Sequence, residues 1–134
     1  MGAIRFHARR RIVARRTESD RRRKQMNYRL RFLPEVAGDV VAGSRWYEER
    51  SPGLGEDFPR MVYARSDEIS RSPLACAVVA GRYRRGLLRR FPYSIYYVVE
   101  GDSILVVGLF HSARRPATTA ATLEDRAGRR SDQG

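Results

Sequence analysis

The residues of this chain best equipped for chemistry are arginines and one histidine. Arg82, Arg84, Arg85, Arg89 and Arg90 crowd one short stretch, Arg114 and Arg115 lie further on, and His111 ends a strongly apolar run. An arginine stays charged at any relevant pH and presents a fixed fork of donors that matches phosphate geometry. A histidine exchanges protons near neutrality. Strand alternation would put Arg85 and Arg89 on one face, and Arg84 and Arg90 on the other. The same arginines also fit a plain surface role, balancing Glu100, Asp102 and the acidic helix faces, and His111 fits as a hydrogen-bonding cap on a sheet. Glu48 and Glu49 are neighbours on a helix and point about 100° apart, so they make no carboxylate pair and read as a solvated face. Cys76 stands between Ala75 and Ala77 with no ligand-spaced Cys or His, and reads as a small core residue. There is no Gly-rich phosphate loop, no histidine pair and no Ser/His/Asp arrangement that stands out. No metal and no cofactor is expected.

The chain has 134 residues and a formal net charge of +12. Lys24 is its only lysine. Residues 1–25 hold ten basic residues against Glu18 and Asp20, so eight of the twelve surplus charges sit there and the other 109 residues carry four. The folded part is therefore only mildly basic. Ile4, Phe6, Ile12 and Val13 are too few to offset the entropy of ordering that segment, so 1–25 reads as a disordered basic extension. It is either a nucleic-acid-binding arm or a stretch preceding a true start at Met26. A single cysteine excludes an intrachain disulfide. No apolar run reaches the ~18–20 residues of a membrane helix and no secretory h-region follows the N-terminal charge, so a cytoplasmic location is expected.

Tyr28-Arg29-Leu30-Arg31-Phe32 alternates apolar and charged residues, as a half-buried strand does. Pro34 suits the first turn of a helix, in which Val36, Val40 and Tyr47 share a face widened by Val41 and Trp46. Gly38 and Gly43 weaken it by roughly 1 kcal/mol each relative to Ala. Ser51-Pro52-Gly53 ends it, and a second helix is predicted from about Asp57, with Pro59 in its first turn and Phe58, Val62 and Ile69 as its inner stripe. Ser72-Pro73 stops that helix. Arg84 to Phe91, Ser94 to Glu100 and Ser103 to His111 are strand-like runs joined by a Phe-Pro-Tyr corner and by Gly101-Asp102, so they should pair antiparallel. The last two are apolar on both faces and belong in the middle of a sheet covered twice. Residues 117–134 read as a flexible tail, helical at most over Ala120 to Ala127.

Trp46-Tyr47-Glu48-Glu49-Arg50-Ser51-Pro52-Gly53-Leu54-Gly55, then Arg89-Arg90-Phe91-Pro92-Tyr93-Ser94-Ile95-Tyr96-Tyr97, then Phe110-His111, together resemble the RelE/ParE superfamily. These are the toxins of bacterial type II toxin–antitoxin pairs, also called plasmid-stabilisation proteins. The resemblance runs from about Tyr28 to Pro116 and implies a toxin domain over 26–116. The implied fold is α+β: an N-terminal strand, a two-helix hairpin and a three-stranded antiparallel meander, with both helices on one face of a mixed sheet.

The resemblance implies a growth inhibitor held in check by a cognate antitoxin. RelE-like members cut messenger RNA in the ribosome, and carry a catalytic Arg or His at the end of the last strand. Arg85, Arg89 and His111 are the candidates this implies, with Arg84, Arg90, Arg114 and Arg115 as nucleic-acid or target contacts. The pattern is incomplete. Ser94 and Leu87 occupy positions that are basic in RelE-type sequences, and no aromatic residue follows His111 in the tail. That favours the ParE-like branch, which binds DNA gyrase, over a ribonuclease; a non-toxic relative that only binds an antitoxin is a third reading. Antitoxins of this family lay a C-terminal segment across the toxin to form a hetero-oligomer, and Trp46, Tyr47, Leu54 and Phe58 at the helix–helix corner could form the groove or simply be core. A chain beginning at Met26 should melt within error of the full chain; a fall of several degrees would show that 1–25 packs on the domain.

Overall fold

The computed structural model describes residues 28–133; the extension expected over 1–25 lies outside them. The order is β1 (Arg29–Phe32), α1 (Pro34–Arg50), α2 (Leu54–Arg71), β2 (Val78–Ala80), β3 (Tyr83–Leu87), β4 (Tyr93–Glu100), β5 (Ser103–His111) and α3 (Pro116–Gln133). The sheet runs β1-β5-β4-β3-β2. β1 lies parallel to β5, and the other pairs are antiparallel. The mixed α+β fold expected from the sequence is present, with β4 and β5 central as their two apolar faces require. β2, a three-residue edge strand, was not foreseen; a strand so short has no room for a periodic pattern.

Cross-strand partners share a face. On one face Ile95, Tyr97 and Val99 stand opposite Leu109, Val106 and Ile104. Gly86 pairs with Ile95 and a Cβ there would lie 2.9 Å from Ile69 Cδ1, so this face meets the helical hairpin. Phe58, Val62 and Ile69 of α2 are buried against it, as their spacing predicts. α2 begins at Leu54, so Pro59 is its sixth residue and lies inside the helix rather than in the first turn. Glu48 makes the earlier start possible. Its Oε1 accepts from Gly53 N at 3.1 Å and from Gly55 N at 2.9 Å, capping amides that have no helical partner. Gly53 itself sits at φ 95, a left-handed turn that favours glycine. Glu48 is therefore a cap and not an idle solvated side chain.

The opposite face carries Tyr96, Val98, Gly108, Leu105 and Phe110. It is covered by α3, so the segment 117–134 read as a flexible tail is helical as far as Gln133 and packed through Ala127. Thr119, Leu123 and Ala127, spaced i, i+4, i+8, are its buried stripe, with Leu123 fully buried. Tyr83 Oη donates to Leu123 O at 3.3 Å, and the Arg126 guanidinium lies 5.1 Å from the Phe110 ring centroid. The sequence allowed a helix over Ala120 to Ala127, but the low apolar content of the tail concealed its packing, because one leucine and two small residues suffice against an aromatic surface.

Two glycines of α1 separate packing from propensity. A Cβ on Gly43 would lie 2.4 Å from Phe58 Cε2, whereas one on Gly38 meets nothing within 4 Å. Gly43→Ala should destabilise by about 1–3 kcal/mol through overpacking, and Gly38→Ala should stabilise by up to about 1 kcal/mol. Urea unfolding of both variants checks the opposite signs.

Candidate functional site

β4 and β5 deliver Tyr93 and His111 to one end of the sheet, where they are cross-strand partners. Their ring centroids are 5.2 Å apart in an edge-on arrangement. The turn after β5 folds back, with Ser112 N donating to Pro92 O at 2.7 Å and Ala113 N donating to His111 Nδ1 at 2.9 Å. With Nδ1 engaged as an acceptor, the neutral imidazole carries its proton on Nε2. His111 is exposed, so that Nε2–H is accessible.

Behind the histidine lies an aromatic cluster. Tyr47 of α1 stacks edge-on with Phe91 at 4.7 Å and lies 6.1 Å from Tyr93, and Phe58 lies 4.8 Å from Tyr93. Burial pushes the Tyr93 phenol above its usual range, with the Asp39 carboxylate adding to it. Burial likewise raises Tyr47, with Tyr93 as the second cause. Deeper in the same layer, Tyr97 Oη donates to Pro73 O at 2.7 Å, and burial followed by Cys76 pushes its ionisation up.

The candidate catalytic set is not brought together. Arg85 pairs with Tyr96 and so projects on the α3 face, while His111 pairs with Tyr93 on the hairpin face. β3 ends at Leu87, so the alternation that would join Arg89 to Arg85 stops short of it. Arg89 instead reaches Glu68 of α2 at 3.1 Å. Arg90, at φ 71, turns toward Asp57 at 3.4 Å. Arg84 Nη1 donates to Cys76 O at 2.6 Å, tying the loop before β2 to β3. Arg114 lies 4.3 Å from the centroid of Phe110 and donates to Thr122 Oγ1 at 2.7 Å, pinning the start of α3. Among these only Arg85 and Arg115 are exposed with no side-chain partner among the described residues.

The four residues placed in a binding groove divide in the same way. Phe58 is fully buried and Tyr47 is half-buried in the cluster, so both are core. Trp46 is exposed and stacks under the Arg50 guanidinium, 3.5 Å from the ring centroid. Leu54 is a partly buried edge of the core. The cavity at that helix–helix corner, about 490 Å³, is lined by Ser44, Arg45, Glu48 and the α2 entry, and none of Trp46, Tyr47, Leu54 and Phe58 lines it. Among the described residues no group of three His, Cys, Asp or Glu side chains could hold a metal ion, and no helix is long and apolar enough to cross a membrane.

Sequence reasoning missed Asp39 and Arg126. β1 covers only Ser103 to Val106 of β5. Beyond it, Leu109 N donates to Asp39 Oδ2 at 3.1 Å, and Val107 O accepts from Arg126 Nη1 at 2.9 Å. The two side chains also join each other, Nη1 to Oδ2 at 2.8 Å and Nη2 to Oδ1 at 3.0 Å. A second pair, Arg129 Nη2 to Glu35 Oε2 at 2.7 Å, lies alongside and holds the Glu35 carboxyl below the usual carboxylate range. The matching i, i+4 carboxylates on α1 were the available signal.

No family model and no curated protein matches the sequence. Solved structures do. A chain of the chromosomal ParDE TA system from P. aeruginosa superimposes with a TM-score of 0.58 at 17% identity, covering 64% of this chain and 97% of that one. A chain of the toxin–antitoxin complex RelBE2 from Mycobacterium tuberculosis gives a TM-score of 0.44 at 16% identity, covering 63% of this chain and 91% of that one. At this identity the first likeness speaks for the fold alone, and the α+β arrangement expected from the sequence is the one this chain shares with it.

The tyrosines set an alkaline limit. A native phenol with a raised pKa contributes stability that is complete below the unfolded tyrosine value of about 10 and is lost as pH rises beyond it. Urea midpoints should therefore hold level to about pH 9.5 and fall above about pH 10, less steeply in Tyr93→Phe than in the unsubstituted protein. A level profile to about pH 11 would contradict the burial argument.

Proposed function

We infer that this chain is the toxin of a type II toxin–antitoxin module, a growth inhibitor neutralised by a small antitoxin encoded beside it. The leading mechanism is ParE-like, by binding DNA gyrase. The observation that carries this choice is the dispersal of the candidate ribonuclease set. Arg85 and His111 lie on opposite faces of the sheet and Arg89 is held by Glu68. Cleavage of an RNA strand by 2′-OH attack needs a proton acceptor and a cation converging on one phosphodiester. A protein that acts by binding has no such requirement.

One feature favours the ribonuclease as a second reading. His111 is exposed, with its ring orientation fixed by Ala113 N–H and Tyr93. A positioned imidazole typically contributes 10²–10⁴-fold to a proton-transfer step. The two mechanisms part in the cell. Expression of the gyrase binder should raise the DNA-damage response without new 5′ ends inside translated codons, and His111→Ala should leave growth inhibition nearly intact. New cleavage sites without DNA damage, abolished by His111→Ala, would overturn the gyrase reading in favour of the ribonuclease.

A further inference from the structure

Of the eight large apolar side chains that stand exposed among the described residues, four belong to one end of the sheet. They are Leu74, Val78, Val79 and Leu87, at 61%, 49%, 42% and 57% exposure. Three of them fall in Leu74-Ala75-Cys76-Ala77-Val78-Val79-Ala80, seven consecutive residues with no charge and no proline. The comparable runs Ile95 to Val98 and Ile104 to Phe110 are buried in β4 and β5. This one is on the surface. Leu87 lies beside it, because Arg65 bridges Leu87 O and Cys76 Sγ.

β2 is the last strand of the sheet, and among the described residues nothing pairs with its outer side. Arg85 N donates to Ala77 O, and Val78 stands opposite Arg84. Antiparallel pairing uses alternate residues, so the amide and carbonyl of Val78 point away from β3. An unpaired edge is a template for another strand, and natural edges are guarded by charge, by proline, by shortness or by bulges. β2 has the last two, with three residues and a register shift between Val78 and Ala80, and neither of the first. Those guards shorten the edge without making it polar. The neighbouring charges are turned inward: Arg84 Nη1 reaches Leu74 O as well as Cys76 O, and Arg82 pairs with Glu100 at 3.0 Å. Such an edge offers no row of cations to a phosphate chain or to an acidic peptide. What it matches is itself.

We propose that the outer edge of β2 joins that of a second copy of this chain, antiparallel about a two-fold axis at Val78, making one continuous sheet. In that register Val78 exchanges both main-chain bonds with Val78 of the second copy, and Ala77 faces Val79 of the second copy. Every cross-strand pair at the contact is then apolar. The two copies of β3 lie three strand spacings apart, about 14 Å. That exceeds the Debye length of about 8 Å at physiological salt, so the two exposed Arg85 side chains do not oppose the contact. A two-fold contact uses the same patch on both copies and closes on itself. A three-residue edge and four side chains place the interface below the usual size of about 800 Å² per partner, so the dimer is weak and reversible. The proposal stands apart from the toxin reading, since neither gyrase binding nor RNA cleavage enters it.

The test is sedimentation velocity of the full chain from about 5 to 500 μM, where a weak dimer forms and dissociates. The mean sedimentation coefficient should rise with concentration toward that of a dimer. Val78→Lys should raise the dimer Kd by about 10-fold or more, while Phe32→Lys, on the opposite edge strand, leaves it unchanged. Both positions are exposed, so both variants should melt with the unsubstituted protein. Cross-linking reads the register independently. On a Cys76→Ala background, Val78→Cys should give a disulfide-linked dimer on mild oxidation, since directly paired residues hold their Cα atoms about 5.5 Å apart. Leu87→Cys on the same background, more exposed but one strand further in, should stay monomeric. A chain that is monomeric at about 500 μM, or equal cross-linking at the two positions, overturns the proposal. So does a dimer broken by Phe32→Lys and not by Val78→Lys. A chain monomeric throughout, whose binding of the small protein encoded beside this gene is lost in Val78→Lys, overturns it in favour of that partner.

Discussion

The exposed end of β5 is the constraint around which the remaining parts are arranged. β1 is four residues long and pairs with the first half of a nine-residue neighbour. The strand that continues past it would leave the buried Leu109 amide and Val107 carbonyl without partners, at a cost of about 1–3 kcal/mol for each. Asp39 and Arg126 supply the missing acceptor and donor. They come from α1 and α3, which cover opposite faces of the sheet, so one contact closes the edge and links both helical layers. The side chains are 13% and 12% exposed, dry enough for the pair to matter and too dry for either to stand alone. α3 buries only Thr119, Leu123 and Ala127 along its stripe. A helix with so little apolar contact depends on such polar anchoring.

Among the described residues the same logic disposes of most of the arginines. A count of arginines suggests a surface made for nucleic acid, yet residue after residue proves to be internal fastening. Arg65 donates to Leu87 O at 2.9 Å and pairs with Glu68, Arg84 holds the loop before β2, and Arg89 and Arg90 return to carboxylates of α2. Arg82 pairs with Glu100 across the sheet. Arginine serves here because its fork can satisfy a carbonyl and a carboxylate at once. Among the described side chains what remains unengaged is small and local: Arg29 and Arg31 on the edge strand β1, Arg85 on β3, and Arg45 and Arg115 in the open.

Much of this was legible in the sequence, and the failures share a cause. Periodicity placed β1, the face of α2 and the two central strands, because hydrophobic burial imposes a repeat that survives without coordinates. Polar geometry imposes none. Glu48 looked solvated because its partners are backbone amides on the far side of a turn, and the Phe-Pro-Tyr corner hid that β3 stops before Arg89. Only the Ala120 to Ala127 part of α3 was legible as helix; its full extent and packing were not, because its anchors, Arg126 and Arg129, find their carboxylates on α1, more than eighty residues earlier. At the helix corner the sequence left groove and core open for Trp46, Tyr47, Leu54 and Phe58, and Phe58 is core because Gly43, with no side chain, leaves room for its ring. The family resemblance supplied the architecture but not the roles of these residues.

If one contact both closes the β5 edge and joins the helical layers, Asp39 and Arg126 must be strongly coupled in the folded state. The direct measurement is a double-mutant cycle by urea unfolding with Asp39→Ala, Arg126→Ala and the double variant, alongside amide exchange of α3. The account predicts that each single change costs about 3 kcal/mol, that the pair couples by about 2 kcal/mol, and that either change speeds α3 exchange to near the unprotected rate. Additive losses within about 0.5 kcal/mol, with α3 exchange unchanged, would contradict it.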